Sequence, residues 1–179
     1  MTRIYAGMID HSIEYFSQEG EIYKMQSGSV QKFEETTHPE LENLLLNESN
    51  LATTLSEMCE YDYPSMLKKL ADCRYGGLNF EADFTDGNST HDHKDCPLRG
   101  NCIGENIVCK PIEINGEPLF EDELSILREC STNKKNFTIA SDLDIPFGTL
   151  NVSKTKIYDK YGFVTKQQST IALFEKGLL

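Results

Sequence analysis

The chain has 179 residues, enough for one larger domain or two small ones, and 39% of them are apolar, which suffices for packed cores. No apolar run approaches the ~20 residues that span a bilayer, and the opening Met-Thr-Arg-Ile-Tyr lacks the apolar stretch of an export signal, so a cytoplasmic protein with no membrane partner is expected. A net charge of −12 argues against a protein that coats nucleic acid by bulk attraction.

In chain order, Ile4, Met8, Ile9, Ile13 and Phe16 recur near helical spacing and predict a helix over 4–16. Gly20 interrupts it, and Met25–Lys32, with its Ser-Gly-Ser, reads as a loop. Pro39 followed by Glu40 and Glu42 is a helix start with acids in the first turn. Asn47–Asn50 is a break, after which Leu51, Leu55 and Met58 share one helical face. Tyr63-Pro64-Ser65 opens another helix, which carries Leu67 and Leu70 and runs to Cys73. Residues 1–73 are thus expected to be a module of short helices.

Beyond Cys73 the pattern changes. A glycine-opened alternation predicts a short strand over Leu78–Phe84, and Asp86-Gly87-Asn88 is a turn, so a small hairpin is expected. From His91 to Ile112 the chain is dense in Cys, His, Gly and Pro and has no helical period. Asn115-Gly116 is a turn or linker, and Pro118 opens the last domain, making 74–117 a Cys-rich segment and 118–179 a C-terminal domain. Four helical patterns follow, over Phe120–Glu129, Asn136–Leu143, Leu150–Tyr161 and Lys166–Lys176. The expected fold class is mainly α.

Residues 1–119 hold 9 Lys and Arg against 21 Asp and Glu, whereas residues 120–179 hold 8 of each. Between 146 and 166, Lys154, Lys156, Lys160 and Lys166 face a single acid, Asp159. On a helical wheel Leu150, Ser153, Ile157 and Tyr161 form one inward stripe, with Asn151, Val152, Thr155, Lys156 and Asp159 opposite. That outward face has short polar side chains next to lysines, which suits close approach to base edges. Asn151 can pair with adenine, Val152 or the Thr155 methyl can meet a thymine methyl, and Lys154, Lys156 and Lys160 are candidates for phosphates. A short helix, a tight turn and a second helix opened by Pro146 and closed by Gly162 have the shape of a helix-turn-helix.

The blocks Glu123-Leu-Ser-Ile-Leu127, Phe137-Thr-Ile-Ala-Ser-Asp-Leu-Asp-Ile145, Gly148-Thr-Leu-Asn-Val152, Lys156-Ile-Tyr-Asp-Lys-Tyr-Gly162 and Ala172-Leu-Phe-Glu-Lys-Gly-Leu-Leu179 resemble the LuxR/GerE-type helix-turn-helix of bacterial transcription regulators, over the full length of that domain. The resemblance implies a four-helix bundle that binds double-stranded DNA. It implies base contacts from Asn151, Val152 and Thr155, and backbone contacts from Thr149 and Lys156. It also implies a homodimer through the last helix, with Thr170, Ile171, Phe174 and Glu175 as candidates. The chain departs from the pattern at Ser153, where a His is usual, at Pro146, where a Ser caps the helix, and at Phe137 and Thr138.

Six cysteines without an export signal favour reduced thiols or a metal over disulfides. Cys96, Cys102 and Cys109, with Cys73 upstream, could close a tetrahedral four-cysteine zinc site in a segment with little core of its own; an iron–sulfur cluster is the alternative, and reduced structural thiols a third reading. Cys59 and Cys130 lie in amphipathic helices and read as small apolar residues. His91-Asp-His93 could begin a hydrolase metal site, but no second motif completes it. No phosphate loop, nucleophile elbow, His-Glu-x-x-His motif, receiver domain or acyl-homoserine-lactone pocket is recognisable, so no enzyme is expected. The expectation is a DNA-binding transcriptional regulator with an N-terminal sensory or interaction module that also contacts RNA polymerase. The alternative is an adaptor whose acidic half binds a basic protein, the helix-turn-helix serving in packing or dimerisation.

Overall fold

The computed structural model describes residues 4–179 and divides into two compact units between Lys110 and Pro111. The first unit departs from the helical module expected of it. Over 4–12, where a helix is predicted, the chain runs through turns and bends, and Ile4, Met8 and Ile9 remain exposed. Three antiparallel strands follow, β1 (Glu14–Gln18), β2 (Glu21–Gln26) and β3 (Ser29–Lys32), with Glu14 opposite Met25 and Tyr23 opposite Lys32. Two dipeptides account for the sheet. Glu19-Gly20 and Ser27-Gly28 have both residues at positive φ, 53° and 84° then 52° and 77°, as a two-residue hairpin that follows the strand twist requires. Gly20 is therefore a hairpin apex, not a helix end, and Met25–Lys32 is strand, turn and strand.

Side chains alternate across a strand, so Tyr15, Ile22 and Lys24 share one face of the sheet and Glu14 and Met25 the other. The first face packs on α1 (Pro39–Asn47), α2 (Ser49–Met58) and α3 (Tyr63–Tyr75), which lie within a few residues of their predicted spans. Tyr15, Leu41, Leu51, Leu55, Leu70 and Tyr75 form the centre of this core. Lys24 enters it paired with Glu40 at 2.7 Å and donates to the Thr37 carbonyl at 3.0 Å.

The Cys-rich segment belongs to this unit. Val108 is buried in the same core, and the fully buried Arg74 of α3 donates from Nε to the Val108 carbonyl at 2.8 Å and from Nη2 to the Ile107 carbonyl at 2.6 Å. Its Nη1 pairs with Glu48 at 3.0 Å. Arg74→Met would leave two carbonyls and a carboxylate short of donors, so a loss of about 3–5 kcal/mol is expected in denaturant unfolding of the full chain. A loss under about 1 kcal/mol would show that this clamp contributes little.

Beyond α3, β4 (Phe84–Thr85) and β5 (Asn88–Ser89) form a hairpin about Asp86-Gly87, where the turn is predicted. The strand is shorter than expected. The Asn79 side chain takes the Glu81 N–H at 2.6 Å, closing a local turn that competes with an extended ladder over 78–83.

The second unit opens seven residues before the expected boundary, with a hairpin of β6 (Glu113–Ile114) and β7 (Glu117–Pro118) about Asn115-Gly116. Then come α4 (Glu121–Ser131), α5 (Asn136–Asp142), α6 (Phe147–Tyr161) and α7 (Lys166–Glu175). Hairpin residues Ile112, Ile114 and Leu119 share one core with Leu127, Leu150 and Leu173, among others. Gly162, at φ 69°, ends α6, and the Phe163 N–H returns to the Tyr158 carbonyl at 2.9 Å. Thr165 and Gln168 cap the start of α7 reciprocally, each bond 3.2 Å. Among the described residues the protein has seven α-helices and small antiparallel sheets, so it is mixed α and β and not purely α.

Candidate functional site

Helix α6 presents most of the two faces drawn from its sequence. Leu150, Ile157 and Tyr161 are buried and Ser153 half-buried, while Thr149, Val152, Thr155, Lys156 and Asp159 are exposed. Helix α5 precedes it across a short turn in which Asp144 takes φ 53° and the Ile145 N–H returns to the Ala140 carbonyl at 3.0 Å. Asn151 is half-buried: the Asn136 amide donates to its Oδ1 at 3.3 Å, and Lys154 Nζ donates to Asn136 Oδ1 at 3.1 Å. Sequence alone does not single out Asn136, yet it orients Asn151 from the start of α5. Phe137 and Phe147 are also new to this face. They are 74% and 47% exposed with ring centroids 6.4 Å apart, at the first turns of α5 and α6.

Lys160 must be removed from the set of phosphate candidates. Its Nζ is bonded to both Glu123 oxygens at 2.8 and 2.9 Å and to the Pro118 carbonyl at 2.8 Å, and it lies over the Phe120 ring. The Tyr161 hydroxyl donates to the same carboxylate at 2.5 Å. Lys160 is three positions C-terminal to buried Ile157 and next to buried Tyr161, so it serves the fold of the unit.

Burial raises the Glu123 carboxyl, but hydrogen bonds from Lys160, Tyr161 and the Phe120 N–H outweigh it and hold the group below its ordinary value. Because the folded value is lowered, this stability is fully present above the unfolded carboxyl range, ~4.3, and is lost as pH falls through the folded value. Between pH 6 and pH 3 the wild-type thermal midpoint should fall more steeply than that of Glu123→Gln, which itself should cost about 1–3 kcal/mol at pH 6. Parallel calorimetric profiles would show that the carboxylate is not the titrating partner.

In the first unit, Cys73, Cys96, Cys102 and Cys109 all line one pocket of about 230 Å³. Cys73 comes from the end of α3. The other three come from successive turns, with the Arg99 N–H on the Cys96 carbonyl at 3.1 Å and the Glu105 N–H on the Cys102 carbonyl at 3.1 Å. Met58, Leu98 and Val108 give the lining apolar surface, and Lys69, Lys94 and Arg99 line it together with Asp72, Asp95 and Glu105. The Gly104 N–H donates to Cys102 Sγ at 3.4 Å. Burial pushes the Cys73 thiol up to about 11, so a metal would have to displace its proton. Cys59 is half-buried against the apolar core and Cys130 is buried in the second unit's core, as expected of apolar residues.

The tetrahedral zinc shell expected of these cysteines needs sulfurs ~3.8 Å apart around an ion at ~2.3 Å. Among the described residues, the only group of three or more Cys, His, Asp or Glu side chains with ligand atoms all within 4.8 Å of one another is Glu14, Asp83 and Asp92. No three of the four cysteine sulfurs thus lie within 4.8 Å of one another. His91 and His93 do not form such a group either. His93 Nε2 meets Asp95 at 3.1 Å, and it is Asp92, between the histidines, that is buried.

Burial raises all three carboxyls of that group, Glu14 to about 9, Asp92 to about 8 and Asp83 well above the usual range, with their mutual repulsion adding to the effect at Glu14 and Asp83. The sequence carries no signal for this group, since Glu14 lies 69 residues from Asp83. The chain matches no known family model, and comparisons with characterised proteins and with solved structures return no match.

Proposed function

We propose that this protein is a sequence-specific DNA-binding regulator of transcription whose first unit senses a signal through a metal centre in the cysteine pocket. The observation that carries the reading is the exposed face of α6: Thr149, Val152, Thr155 and Lys156 lie outward beside the oriented amide of Asn151 while the opposite stripe is buried. A helix with short polar and methyl-bearing side chains can approach base edges, and lysines alongside it hold the phosphates. The resemblance of 120–179 to LuxR/GerE-type domains supports the same reading. It also supports a homodimer, since α7 leaves Ile171 and Phe174 exposed at adjacent positions of one helical face. A dimer would read a pseudo-palindromic duplex in the cytoplasm and meet RNA polymerase there.

Selection of duplexes from a random pool by the full-length protein at moderate salt is the direct test. Recovery of a two-fold related sequence is expected; recovery of no preferred sequence would remove the proposal. The excess of acids in residues 1–119 favours a second reading, an adaptor that binds a basic protein. Retention of such a partner by a protein that selects no duplex would establish it instead.

A further inference from the structure

Three carboxylates in the first unit are folded out of water with no ion pair among the described residues. Glu14 stands on β1, on the sheet face opposite Tyr15; Asp83 immediately precedes β4; Asp92 lies in the loop that leads to Cys96. Glu14 and Asp83 are 0% exposed and Asp92 4%. One oxygen of each is clamped. The Asn79 N–H donates to Glu14 Oε1 at 3.0 Å, the Tyr15 N–H to Asp83 Oδ2 at 2.5 Å, and the Asn79 side-chain amide to Asp92 Oδ1. The other oxygens, Glu14 Oε2, Asp83 Oδ1 and Asp92 Oδ2, are buried without a hydrogen-bond partner. Gly77 permits the close packing around Asp92, because a Cβ there would sit 3.0 Å from the Asp92 Cβ and 3.3 Å from Oδ2.

We infer that Glu14, Asp83 and Asp92 form a buried binding site for one hard divalent cation of the calcium, magnesium or manganese class. Unpartnered carboxylate oxygens are costly to bury three at a time, so either a cation or shared protons must satisfy them. The N–H donors on the outer oxygens act toward the ionised form, as outer-shell donors do around a metal ligand, and a bound cation would overcome the opposing effect of burial. Ligand atoms within 4.8 Å of one another can all touch one ion at ~2.4 Å. An all-oxygen donor set excludes a preference for soft metals, which sets this site apart from the cysteine pocket. Two ionised carboxylates neutralise the dication, and the third is satisfied as an acid. The bound ion ties β1 to the approach of β4 and to residue 92, four positions before Cys96. It is a structural pin, and it stands independently of any DNA binding.

The test uses the full-length protein after exhaustive chelation, with terbium(III) as a probe that ignores thiolates and is excited through tyrosine. Sensitised emission that calcium or manganese competes away is expected. Calcium, magnesium or manganese, whichever binds, should raise the thermal midpoint by about 5–10 °C at 100-fold above its dissociation constant. The variant Glu14→Gln/Asp83→Asn/Asp92→Asn should lose both effects, and Asp92→Asn alone should weaken them if the triple variant does not fold. Absence of emission together with a midpoint insensitive to all three cations would overturn the site. So would a triple variant at least as stable as the wild type in saturating cation, since that identifies shared protons as what fills the space.

Discussion

In the full-length protein, Asn151→Ala should cost about 1–3 kcal/mol of discrimination at one base pair of each half-site, whereas Lys156→Ala should weaken all duplexes alike and reduce the salt slope by about 1 per subunit. The two effects separate because an amide reads a base edge through paired hydrogen bonds, while a lysine on a phosphate releases counterions and reads nothing. Two further variants sharpen the result. Asn136→Ala removes the donor that orients the Asn151 amide, so it should reproduce part of the Asn151 loss. Lys160→Ala should leave the salt slope unchanged, because that ammonium is committed to Glu123 and the Pro118 carbonyl. Fluorescence anisotropy on the selected duplex at several salt concentrations measures all four. If Asn151→Ala and Lys156→Ala both bind like the wild type, α6 does not read DNA.

How much of the molecule is legible in the sequence depends on the range of the interactions. Helices α4 to α7 are legible because apolar residues recur at helical spacing within each span, and Pro146 and Gly162 bracket α6. The N-terminal sheet is not. Its strands are 4–6 residues long and bury charged side chains at Glu14 and Lys24, which spoils the alternation a strand should show. The usable signal is Glu19-Gly20 and Ser27-Gly28, eight residues apart, of the same kind as the Asp86-Gly87 turn. The carboxylate group leaves no such trace, since strand pairing and the β4–β5 hairpin, not spacing, bring Glu14, Asp83 and Asp92 together. The four cysteines are legible as a set by their residue type and segment. What spacing cannot supply is the width of the space they enclose.

The metal held in that space is the second large effect. Purified without oxygen, the protein should carry iron and acid-labile sulfide with a broad visible absorption, and exposure to air should bleach it. Four sulfurs around one zinc ion lie ~3.8 Å apart, whereas Cys73, Cys96, Cys102 and Cys109 line a cavity of about 230 Å³ that has room for a larger group. An iron–sulfur cluster would fill such a space with its own atoms, and Lys69, Lys94 and Arg99 line it together with Asp72, Asp95 and Glu105. The Gly104 N–H on Cys102 Sγ is the type of bond that tunes a cluster's potential. Cys102→Ser and Cys109→Ser should each lose most of the metal, and with it the order of a segment whose other anchors are Val108 and Arg74. Cys59→Ser, outside the pocket's lining, should lose none. One zinc per chain, surviving air and lost in the same variants, would return the site to the tetrahedral reading. No metal in anoxic protein would leave reduced thiols and remove the sensor from the proposal. If the cluster is present, DNA binding measured before and after air exposure links the two units: a change in affinity of at least several-fold is expected, and equal affinity would limit the cluster to a structural role.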